Sequence, residues 1–307
     1  MKAIRINGYR EVPTVHEMSI PSIKSDQVLV RVQAAALNPF DVFIASGQGS
    51  EVFPVTFPHT LGVDLAGVVA RVGESVTQWE VGDEIVACAD LSLGGALAEF
   101  VVLPADACVA LPPDFSPTEG AAIPTAGSTA WHALFSVAHL LEGETILIHG
   151  GAGGVGSFAI QFAHKAGARV ITTATGDGLA LAKQLGADQV IDYKVEDFTA
   201  VVSNVDVVLD LIGGETQARS YDVLRSGGRL VSAVMPPNEH LAAERGVTAS
   251  MLFIVSYRNR LNEVVQAVAD QAVKVVLDQV SPFMDFEKAW SRQSSGHARG
   301  KIVVTLV

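Results

Sequence analysis

Residues 145 to 166 constrain this chain more than any other stretch. Thr145-Ile-Leu-Ile148 is a short apolar run of strand character, and His149-Gly-Gly-Ala-Gly-Gly-Val-Gly156 follows it directly. The small-residue stretch Ser157 to Ala166 then reads as a helix. Gly151, Gly153 and Gly156 thus satisfy G-x-G-x-x-G between a strand and a helix. In that setting the first glycine permits a tight turn and the second lets backbone N–H groups approach a pyrophosphate. The third lets the helix pack close to the sheet, and the helix N-terminus supplies a positive dipole end. Gly151, Ala152, Gly153, Gly154, Val155 and Gly156 are therefore expected to cradle a dinucleotide. No Lys-Ser/Thr follows the last glycine, which excludes a mononucleotide P-loop.

Strands and helices alternate on the C-terminal side of this loop. Arg169 to Thr173, Gln189 to Ile191, Asp206 to Leu209 and Gly228 to Ser232 repeat the strand signal with helical segments between them. That alternation means a doubly wound parallel sheet. Leu261, Val264, Val265 and Val268 fall at helical spacing and add an amphipathic helix. Residues 1 to 112 differ in texture. Val28, Val30, Val32 and Ala34 alternate with Leu29, Arg31 and Gln33, and short apolar runs follow at 67–72, 84–88, 97–103 and 107–111. Turn signals separate these runs, as in a barrel or sandwich. The texture changes across Leu111-Pro-Pro-Asp-Phe-Ser-Pro117, so a chain of 307 residues is expected to form two domains.

Charge and cysteine usage narrow the function classes. The formal net charge is −12 and no Lys/Arg-rich run occurs, which argues against nucleic acid and anionic membrane as partners. Cys88 and Cys108 cannot build a disulfide framework or a four-thiolate zinc site, and they read as buried thiols in a reducing compartment. The start, MKAIRINGYREVP, has no apolar core of a signal peptide. Gly120 to Leu141 has no Asp, Glu, Lys or Arg, but Pro124, Gly127, His132 and His139 suit a buried loop leading into a core helix rather than a membrane span. A cytoplasmic protein is expected.

Several stretches carry a resemblance along nearly the whole chain. They are Asn38-Pro-Phe-Asp-Val-Phe-Ile-Ala-Ser-Gly47, Leu61-Gly-Val-Asp-Leu-Ala-Gly67, Val81-Gly-Asp83 and Ala122-Ile-Pro-Thr-Ala-Gly-Ser-Thr-Ala130. The glycine loop, Leu185 to Tyr193, Asp210 to Gly214, Gly227 to Val231 and Gly296 to Val303 continue the set. With these motifs the chain resembles the medium-chain dehydrogenase/reductase superfamily, in its zinc-independent quinone oxidoreductase branch. The resemblance implies an α/β fold made of a GroES-like β-barrel catalytic domain (1–117 and 274–307) and a Rossmann nucleotide-binding domain (118–273). It also implies hydride transfer from NAD(P)H to a quinone, with an enone or alkenal reductase, or a cofactor-binding protein without turnover, as alternatives. The active site would lie in the cleft between the domains.

The same resemblance assigns roles. Metal-dependent relatives place zinc ligands where this chain has Asn38 and Val63, and neither an amide nor an isopropyl group replaces a thiolate or an imidazole. No metal is therefore expected. Asn38 would sit beside the nicotinamide ribose and donate to a cofactor hydroxyl or a substrate oxygen, with Asp41 orienting the same turn. Phe43 stands where several relatives carry Tyr, which removes a side-chain proton donor and leaves solvent to finish the reduction. Thr129 matches a threonine facing the nicotinamide, or else caps a turn. Ile212, Ser232 and Ala233 are strand-end residues placed to meet the carboxamide, Tyr193 an aromatic for the adenosine half, and Arg299 a basic residue near the cleft.

The nicotinamide choice pulls two ways. Thr173 and Thr175 offer hydroxyls to a 2′-phosphate, which together with the habit of the branch points to NADPH. Asp177, 21 positions after Gly156, has the spacing of a ribose-binding acid and leaves NADH open. A homodimer is expected, with Met251-Leu-Phe-Ile-Val255 as an edge strand.

Overall fold

The computed structural model describes residues 1–90, 93–253 and 260–306. The chain gathers into two compact units. One comprises Met1–Thr125, Arg258–Gln266 and Leu277–Val307, the other Ala126–Tyr257 and Ala267–Val276.

The first unit is organised by the strand Gln27–Leu37. It pairs antiparallel with Asp64–Val72, with Phe100–Pro104 and with Lys301–Thr305 near the far end of the chain. The sheet runs on through Glu84–Cys88 to Cys108–Ala110 on one side and to Leu277–Pro282 on the other. Val28, Leu29 and Val30 are all buried, so this strand is covered on both faces and not only on the alternating one. Its C-terminal end pairs Ala36 with Asp64 and Leu37 with Ile302. Antiparallel pairing therefore delivers Asn38, Asp64 and Lys301 to the same end of the sheet. The helix Pro117–Ala122, entered through mutual Ser116–Glu119 hydrogen bonds, packs over these strands.

The second unit holds the expected parallel sheet of six strands. Thr145–Ile148 lies between Arg169–Ala174 and Val205–Asp210, Gln189–Asp192 flanks one side, and Leu224–Ser232 then Thr248–Met251 flank the other. This is the Rossmann order, with its reversal at Thr145–Ile148. The helix Gly154–Lys165 follows the glycine loop, burying Phe158, Ala159, Ile160, Phe162 and Ala163.

Two sequence expectations are adjusted. The Gly120–Leu141 stretch is not a loop before a helix but a chain of short helices, ending in the π-helical His132–Val137. Arg229 fastens the C-terminal end of that chain, donating to the Ala138 carbonyl and bidentately to Glu144. The edge strand proposed at 251–255 is instead Thr248–Met251; Ile254 and Val255 lie outside the described residues.

Candidate active site

The glycine loop is held from beneath by a buried histidine. His149 ends the first strand of the parallel sheet, with Nε2 3.0 Å from Ser220 Oγ and Nδ1 3.2 Å from Thr173 Oγ1. Ser220 Oγ donates to the Thr216 carbonyl at 2.6 Å, so it accepts from His149 Nε2–H. Nδ1 is then the acceptor of the Thr173 hydroxyl proton, and Thr173 Oγ1 in turn accepts from Gly150 N–H. Burial pushes the imidazole down to about 4, which keeps it neutral in this role.

The glycines above it fall into two kinds. A Cβ on Gly151 would sit 2.0 Å from Thr172 Oγ1, and one on Gly156 only 2.3 Å from the Gly150 carbonyl oxygen. Those two are required by internal packing. Gly153 has an ordinary φ of −77° and a Cβ there would meet nothing nearer than Gly150 O at 3.3 Å. Gly153 is also the N-cap of the helix, and no side chain caps that end. Among the described residues no side chain caps the first-turn amides, which leaves that helix start available to a pyrophosphate. Ala152 and Val155 line the loop; Ala152 touches the next helix, where a Cβ on Gly178 would lie 2.8 Å from its own. That contact brings the exposed Asp177, the first residue of its helix, to the loop's neighbourhood.

Other predicted cofactor residues gather at the same C-terminal edge of this sheet. Tyr193, half exposed, follows its strand and donates its backbone N–H to Ala174 O at 3.3 Å. Thr175 is half-buried beside it. Thr172 and Thr173 are buried, their hydroxyls committed to Ile148 O and to His149. Ile212 is exposed, and its side chain lies over Gly150. Asp210, fully buried, ties this edge together. It accepts from Ile212 N, Gly213 N, Gln217 Nε2 and Ser232 Oγ, and its carbonyl accepts from Ala233 N. Thr129 is buried in the helix Pro124–Trp131.

In the first unit, Asn38 heads the helix Pro39–Ser46 and is buried within a charged cluster. Its backbone N–H donates to Asp41 Oδ2 at 2.7 Å and its Nδ2 to Asp64 Oδ2 at 2.9 Å. Lys301 Nζ donates to Asn38 Oδ1 at 2.5 Å and to Leu37 O at 2.7 Å, and stands 3.6 Å from Asp64. Asp64 also accepts from Thr125 N and Oγ1. Burial, reinforced by Asp64, pushes the Asp41 carboxyl up to about 7, and burial lowers the Lys301 ammonium from the ordinary lysine range. Phe43 projects from the same helix, 38% exposed, with its ring stacked 6.4 Å from Phe40. Phe53 meets Phe40 edge-on at 5.0 Å. Arg299 is half-buried next to Asp278, to which it donates a backbone hydrogen bond.

Sequence reasoning missed Asp64, Lys301, Thr125, His149 and Asp210. Asp64 and Lys301 left one trace, charges of opposite sign each heading a run of mainly apolar strand residues. Among the described residues, no three His, Cys, Asp or Glu side chains gather so as to hold a metal ion, and no helix is long and apolar enough to cross a membrane.

Comparison with known proteins gives this arrangement a family. Residues 24–113 match the alcohol dehydrogenase GroES-like domain, and residues 185–304 match the family described as zinc-binding dehydrogenase. The chain is 34% identical to a chloroplastic quinone-oxidoreductase homolog of Spinacia oleracea, over 99% of this chain and 98% of the relative. It is 35% identical to a 2-methylene-furan-3-one reductase of Solanum lycopersicum, over 99% of this chain and 79% of the relative. The Escherichia coli quinone oxidoreductase solved in complex with NADPH matches with a TM-score of 0.90 at 28% identity, covering 100% of both chains. The chain belongs to the medium-chain dehydrogenase/reductase superfamily, in its quinone oxidoreductase branch.

Proposed function

We propose that the protein is an NADPH-dependent reductase of quinones and related conjugated carbonyl compounds. The observation that carries this is the uncapped start of the helix Gly154–Lys165 above Gly153, at the reversal point of a parallel sheet in a member of this family. Gly151 to Gly156 hold the pyrophosphate, Tyr193 and Thr175 the adenosine half, and Thr129, Ile212, Ser232 and Ala233 the nicotinamide end. When bound, the nicotinamide supplies the hydride. Asn38 has one Nδ2 hydrogen beyond the bond to Asp64, and that N–H donates to a cofactor hydroxyl or to the acceptor oxygen as charge develops on it. Phe43 and Phe40 offer an aromatic face to the acceptor ring. Phenylalanine has no proton to give, so water completes the reduction. Arg299 is a further basic contact for the cofactor.

NADPH is placed first because the E. coli relative was solved with it. Asp177 beside Ala152 is the residue that would admit NADH. Turnover without zinc is supported by Lys301, whose ammonium already occupies the Asn38 oxygen and would repel a dication there. A homodimer through the edge strand Thr248–Met251 and a reducing, cytoplasmic setting complete the proposal. The second is motivated by two thiols outside any disulfide, of which Cys108 is buried.

The tomato relative's activity on an enone favours a second acceptor class. The test is NADPH consumption by purified protein with menadione and with methyl vinyl ketone. Turnover of either, undiminished by chelators, supports the proposal, and the faster acceptor assigns the class. Quenching of cofactor fluorescence with no oxidation by any acceptor would make the protein a binder only.

A further inference from the structure

The Asn38 amide is gripped at both ends. Its oxygen accepts from the Lys301 ammonium, and its nitrogen donates to the Asp64 carboxylate. An amide whose partners are hydroxyls can turn over at little cost, because a hydroxyl both donates and accepts. Turned over here, it would aim N–H at an ammonium and a carbonyl oxygen at a carboxylate, and both contacts would be repulsive. The pair therefore permits one orientation only. The pair is itself pinned: Lys301 also donates to Leu37 O, and Asp64 also accepts from the Thr125 amide and hydroxyl.

Its burial makes the arrangement informative. Lys301 is 4% exposed and Asp64 fully buried. Two charges in an interior gain little over apolar residues of the same volume, since desolvation offsets their attraction. The sheet end around them is otherwise Val-, Ala- and Leu-rich, with the Asp41 carboxyl close enough to feel both charges. What they supply and an apolar pair would not is a direction for the amide.

We propose that Lys301, with Asp64, is a positioning residue that sets the orientation of the Asn38 amide and so aims its second N–H. The inference rests on the role proposed for Asn38 in hydride transfer. Lys301 acts through Asn38 and touches neither cofactor nor acceptor.

The test is a mutant cycle. Lys301→Met with Asp64→Asn removes the two charges together, so the neighbouring Asp41 carboxyl loses the repulsion of Asp64 along with the attraction of Lys301. This pair should lower kcat with menadione about tenfold or more while leaving the NADPH dissociation constant within about twofold of the original. Asn38→Ala should cost a similar factor, and the triple variant should be no worse than either. A pair variant with the original kcat beside an impaired Asn38→Ala overturns the positioning role and leaves Asn38 standing. Losses that multiply in the triple variant also overturn it. An Asn38→Ala protein of full activity removes the role of Asn38 itself and this inference with it. Should the pair variant not fold, the unaltered protein decides. Its Asn38 side-chain amide, identified by NMR through its disappearance in Asn38→Ala, should rotate and exchange slowly, and a rapidly turning, rapidly exchanging amide overturns the proposal.

Discussion

The Thr173 hydroxyl oxygen lies 3.2 Å from the Gly150 amide nitrogen and 3.2 Å from His149 Nδ1. It is a strut of the glycine loop. Thr173→Val should leave a partly buried N–H and a buried ring nitrogen without partners, at about 1–3 kcal/mol of stability. Affinity for NADPH and NADH should fall by the same factor, read by fluorescence titration of both. A loss confined to NADPH would instead assign the hydroxyl to the 2′-phosphate.

Gly153 and Gly156 should behave differently as alanines. Gly156→Ala drives a methyl into the Gly150 carbonyl, 2.3 Å away, and should lower the melting temperature through a loss of about 2 kcal/mol or more. Gly153→Ala has room and an unstrained φ, so it should melt like the parent. Its methyl should nonetheless occupy the pyrophosphate's approach and weaken NADPH binding about tenfold or more. Calorimetry and titration on both variants separate folding from binding.

Asp41 should leave a mark on stability against pH. Its carboxyl titrates near 7 in the folded chain and near 3.8 when unfolded, so folding favours the protonated form. That contribution is complete below about pH 4 and is lost as pH rises towards 7. Asp41→Asn keeps an acceptor for the Asn38 N–H and removes the ionisation. Its melting temperature should therefore gain on the parent's as pH increases from about 4 to about 7, the window set by the two values. His59 and His149, both pushed down to about 4 by burial, act in the opposite sense below their ordinary value of 6.5. They are common to both proteins and cancel in the comparison.

Phe43→Ala should raise KM for menadione roughly threefold to tenfold, the worth of an aromatic contact, with kcat little changed. Steady-state kinetics at saturating NADPH checks this. A fall in kcat with unchanged KM would place the ring in the transition state rather than in acceptor binding.

The parts legible in the sequence were local. A strand, a glycine loop and a helix stand consecutively at 145–165, although the small-residue run placed the helix start at Ser157 and the structure begins it at Gly154, because glycine's low helix propensity hides the first turn. The alternation of 169–232, equally local, gave the parallel sheet. Thr173 was harder, because its strand is covered on both faces and period-two reasoning cannot say which hydroxyl turns inward. Lys301 and Asn38 are 263 positions apart, and only the register Leu37–Ile302 reveals that they touch.

That register has a consequence for synthesis. As the chain leaves the ribosome, all six strands of the parallel sheet are available once residue 251 has emerged, whereas Gln27–Leu37 still lacks Lys301–Thr305. The nucleotide-binding sheet can condense first, because its six strands all lie between residues 145 and 251. Until the last strand arrives, a Val- and Ala-rich edge stays unpaired, open to other nascent chains. Truncation or stalling before residue 301 should thus yield a chain with a finished dinucleotide fold and an adhesive, unfinished barrel.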